Sequence, residues 1–259
     1  GTAYAQTAPT APTQASAPAI TTESTTRFAA GVTASLNAAT TNIIYLEQTG
    51  NTPTVSINQD GNSNRAGSDA SGTINSMVLN GNNQVVTIDQ TGNNNIINTM
   101  KITGNAANVY LLQSGNSNTA NVTCGLTTSC GGTVAANTNA LLDFRFTGNS
   151  NNLNYTGNGS SLQAAVYVYG NGNTVTMEQS GAGGQQALIN IGATGAGNAS
   201  PNNTVNVSQT SASMSSLVLS QSGAGSTTFN ISQTGTYSNV ANISAVSSGG
   251  SFNIIQRSH

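Results

Sequence analysis

Residues 111–123 read Leu-Leu-Gln-Ser-Gly-Asn-Ser-Asn-Thr-Ala-Asn-Val-Thr. Apolar residues lead into Gln113, Gly115 and Asn116 follow, and apolar character resumes at Ala120 and Val122 after Asn118. Counting back by two from Gln113 gives Leu111 and Val109, and counting on from Asn118 gives Ala120 and Val122. Alternate side chains of a strand share one face. The stretch therefore reads as the end of one strand, a reversal at Gly115 and Asn116, and the start of the next.

The same phrase recurs along the chain. Apolar residues stand two and four positions before Gln48, Gln59, Gln90, Gln113, Gln179, Gln209, Gln221, Gln233 and Gln256. The residues between are mostly Thr, Ser, Asn, Asp or Glu, as in "VTIDQ" and "VTMEQ". Turn glycines are expected at Gly50, Gly61, Gly81, Gly92, Gly104, Gly115, Gly148, Gly157, Gly181, Gly223 and Gly235, because Gly reaches positive φ without steric cost. Many of these lie 11 or 12 positions apart. A strand of about six residues plus a tight turn makes half a rung, and two halves return the chain one level up. The fold class expected is all-β, a β-solenoid of about nine two-strand rungs of roughly 22–24 residues each.

An inward amide without partners costs about 1–3 kcal/mol. Stacking removes that cost, because each amide can donate and accept along a ladder of identical side chains. The nine glutamines are assigned to such a ladder, together with the inward Asn64, Asn95, Asn118, Asn151 and Asn173. A stack of like charges would repel, which fits a chain with only 5% charged residues.

Composition excludes several functions. Five basic residues and a net charge of −2 leave no basic surface for phosphates, so nucleic acid is not an expected partner. No apolar run reaches the length of a membrane span. The only His is His259, so no nucleophile has a base nearby, and Glu47, Asp89 and Glu178 are read as an outward, solvated acidic row. No enzyme activity, cofactor or metal is expected. Cys124 and Cys130, in a Gly-rich loop, fit a local disulfide, with free thiols as the alternative. Near the start, Ala3-Tyr4-Ala5 has the small-x-small form left by a secretory cleavage site, or is chance in an Ala/Thr-rich stretch.

Gln113-Ser-Gly115-Asn-Ser-Asn118-Thr-Ala120 and Gln59-Asp-Gly61-Asn-Ser-Asn64-Arg-Ala66 resemble curlin repeats, the units of bacterial curli fibres. Gln90-Thr-Gly92-Asn-Asn-Asn95 is a near match. The resemblance covers roughly residues 43–256. It implies a secreted subunit of an extracellular amyloid-like fibre in a biofilm matrix, assembled from copies of itself, with a nucleator and secretion chaperones as further partners. The chain departs from the family in two insertions, near 123–140 and 192–203.

Residues 1–42 lack the repeat and form a Thr/Ala/Pro-rich arm, and 257–259 form a tail. Phe28, Val32 and Leu36 suit either a short capping helix or an extended docking strand. The function expected is head-to-tail polymerisation through the solenoid edges, with the arm docked on a neighbour. The alternative is a phage fibre or solitary adhesin that touches its target through Tyr155, Tyr167, Tyr169 and Tyr237. An ice-binding surface would need a regular row of outward Thr, and Thr87 and Thr176 belong to none.

Overall fold

A computed structural model describes residues 42–51, 54–104, 108–125, 142, 144–158, 164, 166–180, 186–187, 189–192, 199–211, 215–235 and 239–257. Among these residues the regular structure is entirely β. In chain order the strands are Ile43–Ile44 (β1), Leu46–Thr49 (β2), Thr54–Asp60 (β3), Arg65–Ala66 (β4), Met77–Asn80 (β5), Val85–Thr91 (β6), Ile96–Thr103 (β7) and Asn108–Ser114 (β8). They continue as Thr119–Cys124 (β9), Asn152–Asn158 (β10), Thr174–Ser180 (β11), Thr204–Ser211 (β12), Ser215–Val218 (β13), Thr228–Gly235 (β14), Asn239–Asn242 (β15) and Ser251–Arg257 (β16).

Every strand pairing is parallel. Parallel neighbours cannot be joined by a tight hairpin and need a crossover. Here the crossover is a strand on the opposite side of the core. One long sheet runs β1-β4-β7-β9-β10-β11-β12-β14-β16, while β3-β6-β8 and β13-β15 form the other side. The chain thus coils, and each level lies on the one before it in a β-solenoid-like arrangement.

The alternation read from sequence sets the core. Ile57, Ile88 and Leu111 are buried on the short-sheet side, and Leu153, Val175, Val205 and Phe229 make one buried row of the long sheet. The ring of Phe229 stacks on that of Phe252, 5.1 Å away and tilted by only 8°. Covering such rows contributes roughly 1.5–3 kcal/mol for each large side chain.

Levels are less uniform than a 22–24 residue period. Equivalent positions from Asn42 to Asn203, and on to Thr227, lie 22, 31, 23, 33, 22, 30 and 24 residues apart. The 33- and 30-residue steps contain the two insertions seen in the sequence. The 31-residue step contains a third, residues 67–76, which leaves the long sheet after β4 and returns at β5. It is a small hairpin, bridged antiparallel at Ser68 and Ile74. Asn75 Nδ2 ties its base to the Asn98 carbonyl and the Thr99 hydroxyl, both at 2.8 Å. The turn-forming string Gly67-Ser-Asp-Ala-Ser-Gly72 marked it in the sequence. The next level absorbs the mismatch with a bulge between Ile97 and Thr99 in β7.

The outward acidic row does not exist. Glu47, Asp89 and Glu178 pair in register with Val78, Asn58 and Leu112, and Thr156 and Ser208, respectively. Asp89 is 6% exposed and accepts from Asn58 Nδ2 at 3.0 Å and from the Thr91 hydroxyl at 3.2 Å. Neighbouring levels flank it on both sides, as they do Thr87. Residues 1–41 of the arm, including Phe28, Val32 and Leu36, lie outside the described residues, as do Cys130, Gly181 and Tyr237, whereas Asn42 already belongs to the stack.

Candidate functional site: amide ladders, turn stacks and open edges

The glutamines form two ladders on opposite sides of the core. On the short sheet, Gln59 Nε2 donates to Gln90 Oε1 and Gln90 Nε2 to Gln113 Oε1, each at 2.7 Å. On the long sheet, Gln179 donates to Gln209 at 2.8 Å, Gln209 to Gln233 at 2.9 Å and Gln233 to Gln256 at 2.7 Å. The Tyr155 hydroxyl starts this second ladder by donating to Gln179 Oε1 at 2.9 Å. Burial pushes the Tyr155 hydroxyl pKa up, so it stays a donor. A fully enclosed Tyr155 is therefore no adhesin contact.

Gly157 explains why a tyrosine takes that role. It was expected in a turn but lies inside β10, buried, in register with Cys124 and Gln179. With no side chain at the glutamine position, space opens for the phenol from two residues earlier. Gly235 likewise belongs to a strand, as the last residue of β14. Cys124, beside Gly157, is disulfide-bonded.

Two glutamines stand apart from the ladders. Gln221 is buried, but its neighbouring strand presents Ala241, Ile243 and Ala245. It donates instead to the Thr227 hydroxyl at 3.1 Å and the Ser247 carbonyl at 2.9 Å, and its Oε1 has no partner. Gln221→Leu is therefore expected to cost no more than about 1 kcal/mol in urea unfolding, since it also removes an orphaned acceptor. Gln48 is exposed and in register with Leu79, because β5 carries no glutamine there.

The asparagine ladder is longer than the sequence reading had it. Asn95, Asn118, Asn151, Asn173 and Asn203 each donate Nδ2 to the Oδ1 of the preceding member, Asn64 onward, at 3.0–3.2 Å. The same Oδ1 atoms accept the backbone N–H of the next member. Asn42 accepts from the Asn64 N–H, and the Thr227 N–H closes the other end on Asn203. Asn203 follows an insertion, and Asn42 follows Ala-Ala-Thr-Thr with no turn glycine, so neither carries the local phrase that marks the others. Asn64, Asn95, Asn118 and Asn151 also donate Nδ2 to the turn-glycine carbonyl of the following level at 2.8 Å, so most of these amides bridge both neighbours.

A third stack lies in the turns. Asn62, Asn93, Asn116 and Asn149 each give their backbone N–H to Oδ1 of the next level's turn asparagine, the last being Asn171, at 2.8–2.9 Å. Two residues after each turn glycine the chain is left-handed, at Ser63, Asn94, Ser117 and Ser150, with φ between 57° and 59°. Asn tolerates this region better than Ser. Ser150→Asn is expected to raise stability by about 0.5 kcal/mol, read as a higher urea midpoint with unchanged m-value.

Further along the short-sheet side, Phe144-Arg145 and Tyr167-Val168 are also left-handed pairs. The Arg145 guanidinium lies 4.4 Å above the Tyr167 ring. Tyr167 and Tyr169, both half-buried, are thereby held on one surface. Among the described residues, no three His, Cys, Asp or Glu side chains are grouped to hold a metal. No described helix is long and apolar enough to cross a membrane.

Among the described residues, β16 has one edge without a paired strand. Phe252, Ile254 and Gln256 of β16 are half-exposed, whereas their partners Phe229, Ile231 and Gln233 are buried. Searches of family models, curated proteins and solved structures found no match to this chain.

Proposed function

We propose that the protein is the structural subunit of a secreted, extracellular amyloid-like fibre, and that it grows by stacking copies head to tail. One observation carries the reading. Following the register from strand to strand, Ile44 is equivalent to Phe252, and Gln48 is equivalent to Gln256. Placing β1–β2 of one copy on β16 of another sets Ile44 on Phe252, Leu46 on Ile254 and Gln48 on Gln256. The glutamine without a ladder in its own chain then extends the ladder of its neighbour.

Such a contact is heterologous, joins unlike ends, and repeats without closing. Its energetics are those already inside the subunit: parallel backbone pairing, covered apolar rows and one more amide bond per level. On the opposite side, no described residue reaches the level of β16. We assign that place to the part of the arm that precedes Asn42, from an adjoining copy, as a strand added to an open edge. The motif resemblance to curlin repeats supports secretion and a matrix role.

Negative-stain microscopy of purified protein left to stand should show unbranched filaments of unlimited length. Gln48→Glu puts a charge on the first strand and should slow elongation at least tenfold at pH 7. Gln48 is exposed, so the monomer stays folded. Elongation at the wild-type rate would remove the β16–β1 contact, and normal fibres from a chain lacking residues 1–26 would remove the arm's part. Rods of one fixed length would favour a phage fibre or solitary adhesin, for which Tyr167 and Tyr169 offer a surface.

A further inference from the structure

Ala70 of the 67–76 hairpin and the turn column beside it line an open surface cavity of about 460 Å³. Its walls are Ser63, Arg65, Asn94, Ile96, Ser117 and Thr119, with Ala70 of the hairpin at one side. Arg65 points away from the core, since its strand neighbours Asn64 and Ala66 are the inward residues. It is nevertheless only 7% exposed, and in register it lies between Ile43 and Ile96. Its Nη1 is fully buried and makes no hydrogen bond.

A guanidinium enclosed between isoleucines with no counter-ion among the described residues is unfavourable, and such groups are found paired. The hairpin's one acid, Asp69, is engaged elsewhere. Its Oδ1 accepts from the Ser71 hydroxyl at 2.7 Å and the Thr73 N–H at 2.8 Å. These bonds, the hydroxyl first, hold its carboxyl below the usual range. The missing anion has therefore to come from outside the described residues.

The rest of the lining says what carries it. One cation suits a single negative charge, whereas a phosphate chain would call for several Lys or Arg. The hydroxyls of Ser63, Ser117 and Thr119 and the amide of Asn94 suit a ligand with several hydroxyls of its own. Ile96 and Ala70 offer an apolar patch for a ring's C–H face. The volume is several times what a bare carboxylate needs.

We infer that this cavity is a binding site for a sugar acid, a pyranose whose carboxylate pairs with Arg65 Nη1 and whose hydroxyls meet the turn column. The site is complete within one chain and does not depend on fibre growth. Titration of freshly purified protein with galacturonate, galactose, acetate and phosphate tests it. Galacturonate should bind at least tenfold more tightly than each of the other three. Trigalacturonate distinguishes a site for the free acid from one for a polymer unit, and tighter binding of either over galactose supports the site.

Arg65→Met should abolish galacturonate binding while leaving the melting temperature of the free protein unchanged or higher, because it removes an unpaired buried charge. An arginine with a purely structural role would instead lower it. Thr119→Val, which keeps the shape of the wall, should weaken galacturonate several-fold and leave acetate unaffected. Equal affinity for galactose and galacturonate would overturn the anion site, and equal affinity for acetate or phosphate would overturn the sugar acid. The arm contains one acid, Glu23, and binding that appears only in Glu23→Gln would also overturn the proposal, by showing that the arm's own carboxylate holds the cavity.

Discussion

Gly115→Ala is expected to destabilise the protein by about 3 kcal/mol, with a matching fall in the urea midpoint. Two effects add. At φ 113° a Cβ is strained on its own account. The new methyl would also fall on the carbonyl oxygen of Gly148, one level away, and that backbone is held by its own hydrogen bonds. Gly61, Gly92 and Gly148 are in the same position relative to Gly92, Gly115 and Gly170. Gly223→Ala separates the two effects, because Gly223 has φ 94° and nothing within 4 Å of the added carbon. It should cost about 1–2 kcal/mol, the backbone contribution alone. Equal losses at the two sites would mean that the stacked carbonyl is irrelevant. The turn glycines were read as reversals, yet their stricter duty is to let levels approach.

Gln90→Glu is expected to cost about 3–5 kcal/mol near neutral pH, the range for an uncompensated charge in the interior. Gln90 is buried, and its Nε2 donates to Gln113 Oε1 at 2.7 Å and to the carbonyls of Arg65 and Asn95, both at 3.1 Å. An ionised carboxylate would face those three oxygens with no proton to offer. Burial and oxygen neighbours raise the glutamate pKa in the folded state above its ordinary value of about 4.3. The protonated form is the one the fold prefers. The variant's stability is thus best retained below pH ~4.3 and is lost as pH rises through the folded pKa. Urea unfolding at pH 3.5 and pH 7 checks this against the wild type, whose Gln90 does not titrate. A loss independent of pH would assign the damage to shape and not to charge. The expected contrast with Gln221→Leu follows from position, since Gln221 has no amide above or below it.

These two sites show how far the sequence could be read. "LLQSGNSNTANVT" parses correctly from local periodicity: Leu111 and Gln113 are inward, Gly115 and Ser117 carry positive φ, and Asn118, Ala120 and Val122 return to the core. Period-two alternation and the conformational demands of a turn are properties of a few consecutive residues, so they are visible without a fold. All five asparagines proposed for an inward ladder are buried in one ladder. The hydrogen-bonding logic held for them because every level begins with the same turn.

Partners along the stack were another matter. Gln48 has the same local phrase as Gln113, yet it meets Leu79, while Gln113 meets Gln90. Gly157 follows the spacing of a turn glycine but fills a strand position opposite Gln179. Asp89 looks like a solvated acid and is closed in between levels. In each case the deciding neighbour lies 22 to 33 residues away, at a distance set by insertions such as 67–76. The sequence alone determined that the chain is built of alternating strands and glycine turns with inward amides, since those follow from short-range sterics and side-chain polarity. Only the tertiary structure decided which amide lies on which, that Arg65 Nη1 is buried without a hydrogen-bond partner among the described residues, and that Gln48 and Gln256 share one register. Those are facts of stacking, and stacking depends on the summed length of everything between two levels.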